Sequence, residues 1–217
     1  MKYLKIVILS LFFAACSGQR SVDRLLVEVW NKDQSVRHKL AELTKTITVD
    51  GCMENVDSLL TLIELQQRTD AENLAVVEQL LRNGLPLKLS RDSYKTIWLV
   101  IDHSPLAIQE KYLPLVGQMA DNGEIGMDEY AILSDRVAMG QGRPQRYGSQ
   151  VVQFGTPDMM HLYVYPIENP GVLDSLRASV GLSPMAEYLD QVSITTGLEV
   201  QYNPSMTIEQ LEKLRNN

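Results

Sequence analysis

Apolar residues recur at intervals of three and four from Val22 to Val137, and a chain with that spacing buries its hydrophobic surface by packing amphipathic helices together. Between Val22 and about Leu43 the series is Leu25, Leu26, Val29, Trp30, Val36, Leu40 and Leu43. A turn with Asp50-Gly51 follows, and Val56, Leu59, Leu60, Leu62 and Ile63 then mark a second helix. Thr69 or Asp70 is placed to cap a third, which carries Leu74, Val77, Leu80 and Leu81 to a stop at Gly84 with Pro86 behind it. Ser90 to Asp102 reads as another helix, with Trp98 on its apolar side. Ser104-Pro105 has the form of an N-cap followed by proline at the first helical position. The helix it starts carries Ile108, Tyr112, Leu115 and Met119 to Gly123, with Pro114 as a kink, and Met127 to Met139 forms the next.

The period changes after Gly140. Tyr147 to Phe154 and Met159 to Pro166 are rich in β-branched and aromatic residues and are separated by Gly155-Thr156-Pro157-Asp158, which predicts a hairpin with a four-residue turn. Asn169-Pro170 and Ser183-Pro184 predict two short helices, and Thr207 with Gln210 a capping box for a last, weak one. The expected fold class is therefore mainly α, a compact multi-helix array with one small β-hairpin at about residues 147–166. A single helical domain is expected over 24–193, followed by a tail over 194–217.

The N-terminus carries an address. Lys2 and Lys5 precede the apolar run Ile6 to Ala15, broken only by Ser10. Crossing roughly 30 Å of hydrocarbon takes about 20 apolar residues, so this run reads as the core of a signal peptide and not as an anchor. Phe13-Ala14-Ala15-Cys16 puts two small residues directly before a cysteine, as a lipoprotein signal peptidase requires. The expectation is a leader over 1–15, lipid on Cys16, a short tether over 16–23 and a place in the bacterial cell envelope, facing the periplasm. The competing reading is an ordinary signal peptide with a coincidental cysteine. Lipid on Cys16 leaves Cys52 without a disulfide partner, so Cys52 reads as a small buried hydrophobe.

Charge narrows the partners. The whole chain carries −7; without Lys2 and Lys5 the 20 basic residues become 18 against 27 acidic ones, a net of −9. Such a body disfavours nucleic acid and anionic membrane faces.

The densest polar stretch is GQGRPQRYGSQ, Gly140 to Gln150. With Arg136 one turn upstream, Arg143 and Arg146 form a basic patch suited to a carboxylate or phosphate. Candidate ligand contacts are Arg136, Arg143, Gln145, Tyr147 and Gln150, with Asp33, Arg37, Asp70 and Asn73 as further candidates; the alternative for the loop is a structural one whose polar groups bond its own backbone. His103, at a helix corner, is a candidate acid or base, with Asp135 to orient it; a structural histidine is the alternative. His161 fits a strand face and His38 a solvated one. Asp33 and Arg37 are four apart and read as a solvated pair, while Asp70 and Asn73 read as capping residues. No HExxH, zinc-finger spacing, GxSxG, P-loop or dinucleotide fingerprint occurs, so neither a metal nor a cofactor is expected.

These residues also form a spaced series: Asp33-Gln34 with Arg37, Asp70 with Asn73, Gly84 and Pro86, His103, Asp135-Arg136, then Gly142-Arg143-Pro144-Gln145 with Tyr147-Gly148 and Gln150. It continues through Pro166-Ile167-Glu168 and Val180-Gly181-Leu182 to Tyr188-Leu189. In this the chain resembles, over about residues 24–193, a bacterial family known only as domain of unknown function 6624. Leu85 and Ser149 stand where that family usually has Trp and Thr, and Leu176-Arg177 where it usually has two arginines. The resemblance implies candidate positions and no reaction. Because the shared positions are polar and scattered, any that are buried must satisfy one another.

Three functional readings follow: a non-enzymatic module binding a small polar or anionic ligand or a partner segment; a hydrolase or lyase using His103 with Asp135 and Arg143; and a structural protein with a buried polar network. The anchor can be tested alone. Cys16→Ala is expected to release the protein from membrane pellets without unfolding it, and membrane fractionation that still finds the variant in the pellet contradicts lipidation.

Overall fold

The computed structural model describes residues 2–50, 56–82, 85, 88–156 and 159–216, with α1 side chains described from Gln19 to Thr44. Gly51, Cys52, Gly84, Pro86 and Pro157-Asp158 lie outside the described residues, as does the side chain of Cys16. The fold is mainly α, a helical array with one small sheet. It divides into two compact units, Met1–Thr44 with Met53–Ser104, and Lys45–Cys52 with Pro105–Asn217. Among the described residues no helix is long and apolar enough to cross a membrane.

The first unit is built from α1 (Lys2–Asp50), α2 (Val56–Arg82) and α3 (Arg91–Asp102). Two of these depart from the sequence reading. Residues 16–23, expected as a short tether, are helical within α1; Ser and Gly weaken a helix by only about 1 kcal/mol or less each, and no proline interrupts the run. The break expected at Thr69-Asp70 does not occur either, because Val56–Arg82 holds no glycine or proline and Asp70 uses its side chain on Arg37 within a continuous helix. Leu26, Val29 and Val36 of α1, Val77 of α2 and Ile97 and Ile101 of α3 form buried faces at helical spacing. Asp23 locks the start of α3, accepting from the Ser90 backbone N–H at 3.0 Å and the Ser93 hydroxyl at 2.6 Å, while Ser90 Oγ caps Ser93 N–H.

The second unit begins with the antiparallel neighbours α4 (Leu106–Asp121) and α5 (Met127–Gly140). Pro105, and not Ser104, is the N-cap of α4; the Ser104 hydroxyl instead donates back to the Val100 carbonyl at 2.7 Å. The hairpin consists of β1 (Val151–Thr156) and β2 (Met159–Val164), so Tyr147 to Gln150, expected as strand, belong to the preceding loop. A two-residue strand, β3 (Val200–Gln201), adds to β2 in parallel, giving the order β1-β2-β3. Behind the sheet a 3-10 turn (Pro170–Val172), α6 (Leu173–Ser179) and α7 (Met185–Thr196) supply Leu173 and Met185 to a core shared with Leu162, Val164 and Val200. Thr207 and Gln210 cap α8 (Ile208–Arg215) reciprocally, as their spacing predicted.

Candidate functional site

The buried face of α1 runs Leu26, Val29, Asp33, Val36, so a carboxylate occupies a core position of an otherwise apolar stripe. Asp33 is 2% exposed, and a charge so placed needs donors from its neighbours. It has three. His103, the residue closing α3, brings Nδ1 to 3.0 Å from Oδ1; Arg37, one turn along α1, sets Nε at 3.3 and 3.2 Å from the two oxygens; and the Gln34 amide donates to Oδ2 at 2.8 Å. Arg37 then reaches α2, where Nη2 donates to Asp70 Oδ1 at 2.7 Å. Asn73, one turn beyond Asp70 and 2% exposed, turns its amide toward the Val29 carbonyl. Asp33 is sealed, whereas the side chains of His103, Asp70 and Arg37 are 18, 23 and 24% exposed.

The two carboxylates are driven in opposite directions. Burial works to raise Asp33, but the His103 hydrogen bond, the charges of His103 and Arg37 and the Gln34 amide outweigh it and hold the group below its ordinary value of 3.8. For Asp70 burial prevails, assisted by the Asp33 charge and only partly opposed by Arg37 and His103, and the group is pushed up. Neighbouring acids with divergent affinities for a proton are the arrangement acid–base sites use. Potential ligand atoms of Asp33, Asp70 and His103 also lie within 4.8 Å of one another, close enough to share a cation. Sequence spacing gave no sign of this, because the three come from three helices. Arg37 already places a positive charge between the carboxylates, so a metal ion would have to displace it.

The second polar assembly lies in the second unit, around the loop Gln141 to Gln150. Asp135 of α5 is 0% exposed and accepts from the backbone N–H of Arg146, Tyr147 and Ser149 at 2.8 to 3.1 Å and from the Ser149 hydroxyl at 2.9 Å. Burial nonetheless leaves its carboxyl raised, the four donors offsetting only part of the cost. Gln145, equally sealed, donates to the Gln150 and Tyr165 carbonyls and accepts from Gln150 N–H, so both ends of its amide hold backbone. Gln150 donates to the Ile132 carbonyl and Ser149 Oγ. From α6, Arg177, 1% exposed, donates to the Tyr147, Gly148 and Ser183 carbonyls and lies over the Tyr188 ring, whose hydroxyl donates to the Ser149 carbonyl at 2.6 Å. Gly148 has φ +66, and a Cβ there would meet Ile167 at 3.3 Å.

The candidates therefore sort by unit. Asp33, Arg37, Asp70, Asn73 and His103 gather in the first, where the solvated pair and the caps expected from spacing are instead a buried network. The acid bonded to His103 is Asp33; the oxygens of Asp135 are taken by the loop. Gln145, Tyr147 and Gln150 are buried and serve the loop's own backbone or core. Arg143 is exposed and donates to the Gln141 side chain, and Arg136 is half-buried with its charge reaching Tyr188. Arg177 and Tyr188 were not among the candidate site residues, although the spaced series included Tyr188; the available signal for Arg177 was its i,i+4 face shared with Leu173.

The chain belongs to the Family of unknown function (DUF6624), whose profile matches residues 22–201 and so spans both assemblies. Neither a curated protein nor a solved structure matches it.

Two stability measurements separate the assemblies. Asp135→Ala strips the acceptor from three backbone N–H groups and is expected to cost about 3 kcal/mol in urea unfolding, against about 0.5 kcal/mol or less for the exposed Arg143→Ala. Asp33 titrates lower folded than unfolded, so its contribution is complete above pH 3.8 and is lost as pH falls through the depressed folded value. The stability difference between wild type and Asp33→Asn should accordingly shrink as pH falls below 3.8; a difference that still grows below 3.8 contradicts the assignment.

Proposed function

We propose that the chain is a lipid-anchored envelope protein whose working site is the Asp33, Arg37, Asp70 and His103 cluster, and that this site binds a small polar ligand and transfers a proton on it, in hydrolase or lyase chemistry. The observation that carries the reading is the contact between His103 Nδ1 and the sealed carboxylate of Asp33 at 3.0 Å. An ionised Asp33 holds the Nδ1–H tautomer and leaves Nε2 as the basic nitrogen on a partly exposed ring, and it stabilises the imidazolium formed when Nε2 takes a proton. For hydrolysis, Nε2 accepts the proton of the attacking water as its oxygen bonds to the substrate, and returns it to the leaving group as that bond breaks. Arg37 reaches both acids through Nε and Nη2, and its Nη1 has no hydrogen-bond partner among the described residues, so it can donate to a polar group of the ligand. The envelope placement rests on the leader and Cys16 as read from sequence.

The reading differs from the sequence expectation in its location. The arginine loop offered its glutamines as contacts, yet they hold backbone, whereas the first-unit cluster joins ionisable side chains that solvent reaches.

A panel of chromogenic carboxylic, phosphate and glycosyl esters offered to the purified full-length chain tests it. Against any substrate that turns over, Asp33→Asn should lower kcat by about 10²- to 10⁴-fold with a smaller change in KM, because it disturbs the tautomer and leaves the ring in place. Arg143→Ala should leave both parameters within about twofold. A ligand that raises the melting temperature of wild type but not of His103→Ala, with no product formed, reduces the proposal to binding alone. Turnover that survives His103→Ala sinks it.

A further inference from the structure

Independently of that cluster, the second unit contains a cavity of about 490 Å³, within the range of small-molecule pockets. Met139 from the end of α5, Val152 and Phe154 from β1 and Ile208 and Leu211 from α8 give it apolar walls. Tyr165 lines it as well and is the feature that sets it apart. The backbone of Tyr165 is fixed on both sides, its N–H donating to the Gln150 carbonyl and its carbonyl accepting from Gln145. The side chain is thereby held against the cavity with the residue 6% exposed, yet its hydroxyl has no hydrogen-bond partner among the described residues. The hydroxyl stays within reach of solvent, so an acceptor that enters the cavity can take its hydrogen bond.

The rim says what kind. Glu212 and Arg215, on the α8 face that lines the cavity, carry opposite charges 3.9 Å apart, so the rim has no net charge to draw an ion of either sign. Burial and the Glu212 charge both raise the Tyr165 phenol, which keeps it protonated and a donor. We propose that this cavity is a binding site for an uncharged ligand with an apolar body and one hydrogen-bond acceptor, held by the Tyr165 hydroxyl. Its α8 wall lies beyond the residues matched by the family, whereas Tyr165 and the β1 wall lie within them.

Benzamide is a suitable probe, having a flat apolar ring and a carbonyl acceptor, with benzoate and benzylammonium as its charged counterparts. The full-length chain, methyl-labelled at methionine, is titrated while NMR follows Met139 in the cavity wall and Met119, buried in α4, as a reference. Benzamide should shift the Met139 methyl along a single saturable curve and leave Met119 in place. Tyr165→Phe, which keeps the ring, should weaken Kd about three- to tenfold, and Val152→Trp, which fills the cavity, should abolish the shift. The charged analogues should bind at least about threefold more weakly. A Met139 signal unmoved by benzamide, an unchanged Kd in Tyr165→Phe, or a charged analogue that binds as tightly overturns the proposal. If Val152→Trp disturbs Met119, and so the fold, Tyr165→Phe decides.

Discussion

A carboxylate removed from water keeps its charge only if donors replace the solvent, and each unit of this protein is organised around one that has been so removed. Asp33 gathers three helices in the first unit and Asp135 gathers a helix and a loop in the second. The donors differ in kind. Asp135 is met by three backbone N–H groups and one hydroxyl, none of which titrates or moves without unfolding the loop. Asp33 is met by an imidazole, a guanidinium and an amide, all side chains, two of them ionisable and partly in water.

That difference separates architecture from chemistry. The Asp135 network holds a glycine-bearing loop paired through the isolated bridge of Gln145 with Ile167, and Gln145, Arg177 and Tyr188 complete the task by taking carbonyls. Most polar contacts there have backbone on one side, so the network fixes chain path and offers little to a ligand. The first-unit cluster pairs side chain with side chain. Its protonation can change while the helices stay in place, and its exposed members can exchange a partner for a ligand.

The sequence displayed the helical period, the cap at Thr207 and the hairpin, because these are local and their signals lie within a few residues. It misled where a polar residue served a distant partner. Asp33 with Arg37 looked like a surface pair since four-residue spacing is the same whether water or another helix faces it; Asp70 and Asn73 looked like caps since their side chains can cap, and nothing nearby revealed that α2 runs on through them. The two-residue β3 is too short to carry any pattern. Local spacing can nominate His103 but cannot say which of Asp33 and Asp135 it meets, a question settled only by tertiary packing. The scattered polar series, taken as a set that must satisfy itself if buried, was the better guide, and it correctly required side-chain partners for Asp33.

Stability alone does not explain the first-unit cluster. Apolar residues of similar volume at positions such as Asp33 and Asn73 would continue the Leu26, Val29, Val36 stripe and avoid desolvating a charge, and exchanges of this kind in other proteins are often neutral or stabilising by about 1–4 kcal/mol. Fixing helix register is one use for buried polar groups, and a single pair such as Asp33 with His103 would suffice for it. The cluster goes further: Arg37 extends it to Asp70, three of its members reach solvent, and the two acids are driven apart in proton affinity. A solvent-facing imidazole on a sealed carboxylate is the pairing that the proposed proton transfer uses.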